Sequence, residues 1–353
     1  MSGAFAVNGR FLTQRTTGVQ RYAREITQAL DALLAARGGG GVILAPRGVT
    51  DPPPLRALKL HTQGPGGGHA WEQGVLPWRT RLPLLNLCNL APVARAGQVV
   101  CIHDANVFTM PGSYSAAFRA AYHTLLPLIA RRAARVATVS RASAAALARV
   151  LPLQEDAFAI IPNGGEHVLG WRAHASPHFT ALADARPFVL LLGSRARHKN
   201  ASLILDLAGP LDALGLDVLV AGGEAGIFAG ERAARAANIK PLGFVSDDDL
   251  AALLGRAVCL VFPSFVEGFG LPIVEAMALG CPVVASNASC MPEICGDAAL
   301  MAAPDAPAAW LAQIARLARS RALRDEFAAR GRERARAFSW AASAQAYLDL
   351  LAA

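Results

Sequence analysis

The chain has 353 residues, 53% of them hydrophobic, enough for two α/β domains that each bury a core. Its net charge is +8 and its aromatic content only 7%, and with no stacking aromatics among the basic residues and no DNA or RNA module signature, nucleic acid is excluded as a partner. There is no run of about 20 uncharged apolar residues and no basic then apolar leader, so the expected location is cytoplasmic.

The charge is uneven. Residues 1–180 hold 18 Arg/Lys against 8 Asp/Glu, and residues 181–353 hold 16 against 18. A basic first half suits a phosphorylated substrate or an anionic membrane face, although an Arg-rich coding bias explains the composition equally well. Six cysteines lie scattered without a C-x-x-C pair. Packed, reduced thiols are the reading, rather than disulfides or a zinc site.

In chain order, short aliphatic runs alternate with longer segments of helical period, the pattern of parallel sheets wrapped by helices. The first domain reads as strand 4–8, helix 18–36, strand 41–45, strand 98–103, helix 114–132, strand 136–140 and helix 141–151. The tract 51–54 and the glycine cluster 64–68 are loops. Apolar residues 159–161 followed by Pro162-Asn163-Gly164-Gly165 close this domain in a turn. A second series starts with strand 188–193 and continues through 217–221, 239–244, 258–262 and 282–286, each leading into a helical segment, so the second domain spans 165–338.

Two segments at strand ends can meet phosphate, since ligands of open α/β sheets bind at the carboxyl ends of strands. In Gly193-Ser194-Arg195-Ala196-Arg197-His198-Lys199-Asn200, Arg195 and Lys199 flank the N-terminus of a helix read as capped by Asn200. Two fixed cations there offset charge growing on a diphosphate leaving group; a solvated basic loop is the equally weighted alternative. In Glu267-Gly268-Phe269-Gly270-Leu271-Pro272-Ile273-Val274-Glu275, the glycines let backbone approach a ligand and Pro272 suits a first helical turn. Glu275 falls about one turn inside that helix and Glu267 in the loop before it. Both carboxylates can accept hydrogen bonds from sugar or ribose hydroxyls.

Stretch 262–286 resembles the signature of retaining GT-B glycosyltransferases of family 4, and Asn8-Gly9-Arg10-Phe11-Leu12 with Thr17-Gly18-Val19-Gln20-Arg21-Tyr22 looks similar to bacterial mannosyl- and rhamnosyltransferase-like members. Glu267 and Glu275 meet the acid-x7-acid spacing, and other elements match in order: Thr17-Gly18-Val19, His103-Asp104, Thr138-Val139-Ser140, Ile161-Pro162-Asn163-Gly164, 193–200, and Phe338-Ser339-Trp340 before a last helix. The resemblance covers essentially the whole chain. It implies an α/β fold of the GT-B type, two Rossmann-like doubly wound domains facing across a cleft. Residues 1–164 form the acceptor-binding domain, joined by the C-terminal helix 339–353, and 165–338 the nucleotide-sugar-binding domain. By the same resemblance Glu275 binds the ribose, Glu267 with the amides of Phe269, Gly270 and Leu271 after Gly268 holds donor sugar and phosphates, and Arg195 and Lys199 bind the diphosphate. His103 stands near the donor sugar and reacting centre, and the Gly18 turn places a helix N-terminus at the phosphate.

The implied reaction moves a hexosyl or deoxyhexosyl group with retention, with no metal and no other cofactor, and leans to mannose from GDP-mannose. The implied partners are a nucleotide-sugar donor, a glycan or lipid-diphosphate-linked acceptor of bacterial polysaccharide biosynthesis, and an anionic membrane touched peripherally at its inner face. A sugar phosphorylase, a nucleotide-sugar epimerase and a non-catalytic nucleotide-sugar binder are the rival readings. Gly165-Glu166 departs from the family pattern, where a hydrophobic residue and an acid follow Asn-Gly, and Thr16-Thr17-Gly18 replaces a double-glycine turn. Asp247-Asp248-Asp249 reads as helix-capping acid rather than a metal motif. His61, His69, His123, His167, His174, His178 and His198 show no metal-ligand spacing. A lone His103 after an apolar strand is commonly a satisfied core histidine; the ordered match is what raises it to a site residue. Trp71 and Trp78 read as core plugs in preference to acceptor contacts.

Overall fold

The computed structural model describes residues 4–177, 185–193, 196–222 and 236–353. The chain divides into two compact units, residues 1–164 with 339–353 and residues 165–338.

The first unit is built on a parallel sheet of β1 (Ala6–Asn8), β2 (Gly41–Ala45), β3 (Leu58–Thr62), β4 (Leu84–Asn86), β5 (Val99–Cys101), β6 (Arg135–Thr138) and β7 (Phe158–Ile160), in spatial order β3-β2-β1-β4-β5-β6-β7. β1 lies between β2 and β4, pairing Ala6 with Val42 on one side and Leu84 on the other. The strand order therefore reverses between β1 and β4. Helix Gly18–Ala36 buries Tyr22, Ala23, Ile26, Leu30 and Leu34, a three-to-four-residue stripe that fixes its inward face. Its start is held by Gln20, whose Oε1 accepts from the Thr17 N–H at 3.3 Å and from the Thr17 hydroxyl. Helix Trp340–Ala352 packs on it within the same unit. The Tyr22 hydroxyl donates to the Ile161 carbonyl (3.1 Å), so the Tyr347 hydroxyl donates to that of Tyr22 (2.7 Å).

The second unit holds β8 (Phe188–Leu192), β9 (Asp217–Ala221), β10 (Ile239–Gly243), β11 (Cys259–Phe262), β12 (Val283–Ser286) and β13 (Leu300–Ala302), all parallel, in order β10-β9-β8-β11-β12-β13. β8 reads Phe-Val-Leu-Leu-Leu because helices cover both faces of such a sheet and leave no face for polar residues. Here the order reverses between β8 and β11. Both units are thus doubly wound, and each carries one reversal point.

The strands read from periodicity are present, mostly a residue or two shorter than the reading, and so are the helices, except that the helical segment expected after 217–221 lies outside the described residues. β3, β4, β7 and β13 lie outside it. β4, β7 and β13 have three residues each, too few for a period to show, and β3 is a sheet edge where Lys59 and His61 interrupt the apolar run. All six cysteines are buried and free. Trp71 is fully buried with its indole N–H on the Gln63 carbonyl (2.7 Å), whereas Trp78 is 77% exposed and plugs no core. Among the described residues no helix is long and apolar enough to cross a membrane, and no group of three or more His, Cys, Asp or Glu could hold a metal ion.

Candidate functional site

The loops leaving β8 and β11 meet at the reversal point of the second unit, the place where an open α/β sheet leaves a crevice beyond its strand ends. After β8 a 3-10 turn, Arg197–Lys199, carries Lys199 towards the β11 loop, and the Lys199 ammonium bonds both oxygens of Glu267, at 2.7 and 2.8 Å. The Ser264 hydroxyl donates to the same Oε1 at 2.6 Å, and Lys199 Nζ lies 5.7 Å from the centre of the Phe262 ring. Glu267 is 9% exposed. Its backbone is clamped by Ser289, which accepts from its N–H (3.3 Å) and donates to its carbonyl (3.0 Å).

Asn200 does not cap the next helix, Ala201–Asp206, with its side chain. The residue sits in left-handed backbone at φ 52°, and its amide donates instead to the carbonyls of Pro263 (3.1 Å) and Pro304 (2.7 Å). With the Phe265 N–H on the His198 carbonyl (2.8 Å), this stitches the two loops together and holds Lys199 beside Glu267. Burial, and then the Lys199 cation, hold the His198 imidazole below its usual pKa against the opposing pull of Glu267. Arg195 lies outside the described residues.

Gly270 begins helix Leu271–Leu279 at φ 86°, a conformation that costs other residues strain, and an added Cβ would stand 3.1 Å from Ile273 Cδ1. Pro272 occupies the first turn, where its missing N–H is no loss. Gly268 stands between Glu267 and the buried Phe269, which packs edge-on against Phe338 with centroids 5.4 Å apart; Leu271 is buried as well. Glu275, 4% exposed, points back to His167, whose Nε2 lies 3.0 Å from its Oε1. The Gly165-Glu166 departure also has a physical reason. A Cβ on Gly165 would come within 2.7 Å of Val274 Cγ1, so the chain passes flush against the helix that carries Glu275. Glu166 turns back to accept from the Gly165 N–H at 3.0 Å.

In the first unit His103 is 6% exposed, with ring Nε2 2.8 Å from the Leu87 carbonyl and the Tyr22 ring edge-on at 4.8 Å. A carbonyl only accepts, so Nε2 carries the proton. Burial lowers its pKa to about 4, outweighing the hydrogen bond, and the ring is neutral at pH 7. This is the environment of a packed histidine, not of a proton donor. Gly18 opens its helix from an exposed position where an added Cβ meets nothing within 4 Å. Ser246 caps helix Asp247–Arg256, and Asp249 returns a bond to the Ser246 N–H at 2.9 Å, which accounts for part of the acidic run.

The family model described as glycosyl transferases group 1 matches residues 175–334. The matched segment lies within the second unit. The whole chain is similar in fold to a sucrose-phosphate synthase from Thermosynechococcus elongatus, with TM-score 0.75, 19% identity, and coverage of 98% of this chain and 97% of that one, and the fold is GT-B. In sequence it is similar to O-antigen chain mannosyltransferase B of Escherichia coli, 46% identical over 110 residues, which is 31% of this chain and 29% of that protein. It is also similar to O-antigen chain mannosyltransferase RfbU of Salmonella typhimurium, 26% identical over 222 residues, 62% of this chain and 60% of the relative. These matches span less than two thirds of either relative. Within the second unit, the structure brings together Lys199, Glu267 and the Gly268–Leu271 loop, and it adds two residues that the motif reading lacked, Ser264 and His167. Ser264 stands three residues before Glu267 and was open to view; His167 is 108 residues from Glu275 and carries no local signal.

Proposed function

We propose that the chain is a retaining, metal-independent glycosyltransferase that moves a hexosyl group, mannose from GDP-mannose, to a glycan or lipid-linked glycan acceptor in bacterial polysaccharide assembly. The observation that carries this reading is the Lys199–Glu267 pair held over the reversal point between β8 and β11, next to a helix start opened by Gly270. Lys199 and Arg195 offset the charge that develops on a departing diphosphate, while Glu267 accepts hydrogen bonds from the donor sugar and Glu275 from the ribose. The amides of Phe269, Gly270 and Leu271 approach the phosphates from a helix N-terminus, where the peptide dipoles favour an anion. A neutral His103 with Nε2 already bonded to Leu87 serves by shape and polarity in this scheme, and proton removal from the acceptor falls to the donor's own phosphate oxygen. The mannose assignment takes its support from the names of the two O-antigen relatives.

A thermal-shift screen against GDP-, UDP- and dTDP-sugars tests the donor assignment, because a ligand that binds only the folded chain raises Tm with its concentration. GDP-mannose is expected to stabilise the protein selectively, and Lys199→Ala to lose most of the shift while keeping its own unliganded Tm. Equal stabilisation of wild type and Lys199→Ala would remove the role given to the lysine.

A further inference from the structure

Glu275 sits in a helix whose residues on either side of it, Val274 and Ala276, are fully buried, and a carboxylate in such a place is costly unless hydrogen bonds hold it. His167 supplies the one hydrogen bond that the Glu275 side chain makes among the described residues, Nε2 to Oε1 at 3.0 Å, with both side chains buried. A carboxylate only accepts, so the imidazole Nε2–H is the donor. Oε2 has no partner among the described residues and is the oxygen left for a ligand. The terminal torsion of a glutamate is broad, so without a partner the plane of its carboxylate is not set. The bond from His167 sets it.

The imidazole is in turn held from both sides along the chain. Before it, Gly165 lies flush against Val274, on the helix that carries Glu275. After it, the Trp171 ring stands edge-on to His167 with centroids 5.4 Å apart, the Arg172 N–H donates to Asp248 Oδ1 and the Ser176 hydroxyl donates to Asp249 Oδ1, both at 2.6 Å. The acidic run that opens helix Asp247–Arg256 therefore does more than cap it: two of its three carboxylates tie down the segment that follows His167. An apolar side chain would fill the same space with no polar atom to satisfy, so the histidine is explained by the bond it makes to Glu275 rather than by packing.

We infer that His167 is a positioning residue, whose Nε2–H fixes the Glu275 carboxylate so that Oε2 accepts from the hydroxyls of a bound ribose. The ribose contact rests on the function proposed above; the orientation of the carboxylate rests on the His167–Glu275 geometry.

Titration calorimetry on the full chain with GDP, with UDP and with the 2′,3′-dideoxy form of each tests it, because the ratio of affinities within one base series isolates the ribose hydroxyls. Wild type is expected to bind the ribonucleotide about tenfold tighter than its dideoxy form, the size of a hydrogen bond to a charged group. His167→Phe and His167→Leu lose the donor and are expected to bring that ratio down to about one, with affinity for the dideoxy form kept. They differ in shape, so one is read if the other does not fold. His167→Gln, whose amide donates, should restore most of the ratio. A merely structural role would weaken both ligands together and leave the ratio as in wild type. An unchanged ratio in the donor-free variants, or a ratio that His167→Gln does not restore, would overturn the positioning role and leave the proposed function standing. The expected pattern with UDP alone would support the positioning role and remove GDP as the donor nucleotide. Failure of wild type to bind either ribonucleotide would overturn the proposed function and this inference with it.

Discussion

Lys199 and Glu267 stand 68 residues apart in sequence and 2.7 Å apart in space, and what joins them is a set of loop bonds made by Asn200, Phe265 and Ser289. The residue types were legible in the sequence, because a cation after one strand and a carboxylate after another, in order, is a recognisable pattern. Their partners were not. His167 meets Glu275 only because Gly165 lets the chain lie against Val274, and no spacing encodes that. His103 shows a different limit: sequence marks the position, while burial determines the chemistry. Its folded pKa of about 4 lies below the unfolded value of 6.5, so between these pH values the unfolded chain binds a proton that the folded one does not. Stability from this group is therefore present above pH 6.5 and lost as pH falls towards 4, by up to about 3 kcal/mol. Urea unfolding at pH 7 and pH 4.5 should show a smaller loss for His103→Leu than for wild type. Equal losses in the two proteins would contradict the buried, neutral assignment.

At the scale of elements, long segments were readable, whereas three of the five three-residue strands were not, β1 and β5 being the exceptions. Helix Gly18–Ala36 announces itself by its apolar stripe, and β8 by five consecutive apolar residues, whereas three-residue strands such as β4 owe their existence to neighbours on both sides. Asn200 illustrates how tertiary bonds override a local preference. An asparagine before a helix suggests a cap, yet this one spends its amide on two carbonyls from distant loops. Helix Leu271–Leu279 has little slack on the side that faces Gly165. Gly165→Ala is accordingly expected to cost about 1–3 kcal/mol by overpacking. Because Glu275 follows Val274, the variant should also bind nucleotide-sugar more weakly. A variant with wild-type Tm and donor affinity would show that the contact relaxes without moving the helix.

For the whole molecule, the α/β class and the GT-B architecture were readable from the alternation of strands and helices together with the ordered motifs, and the two parallel sheets bear this out. The two reversal points were not, since strand order is a property of the sheet and several of its strands are too short to see. They matter because an open α/β sheet holds ligands where its strand order reverses, and the Lys199–Glu267 pair stands at the reversal between β8 and β11. The charge imbalance also belongs to this scale: 18 Arg/Lys against 8 Asp/Glu in residues 1–180 supports the proposed contact with anionic membrane. Flotation with anionic liposomes should recover the protein at low salt and release it at high salt, and a wholly unbound protein at low salt would remove the membrane from the scheme. Transfer chemistry is proposed at the β8–β11 crevice. Its most direct measurement is NMR of the product formed from GDP-mannose and a mannose-terminated acceptor. GDP release coupled to a new α-linked mannose, nearly abolished in Lys199→Ala, is the expected result; a β-linked product, or turnover unaffected by that substitution, would overturn the proposed function.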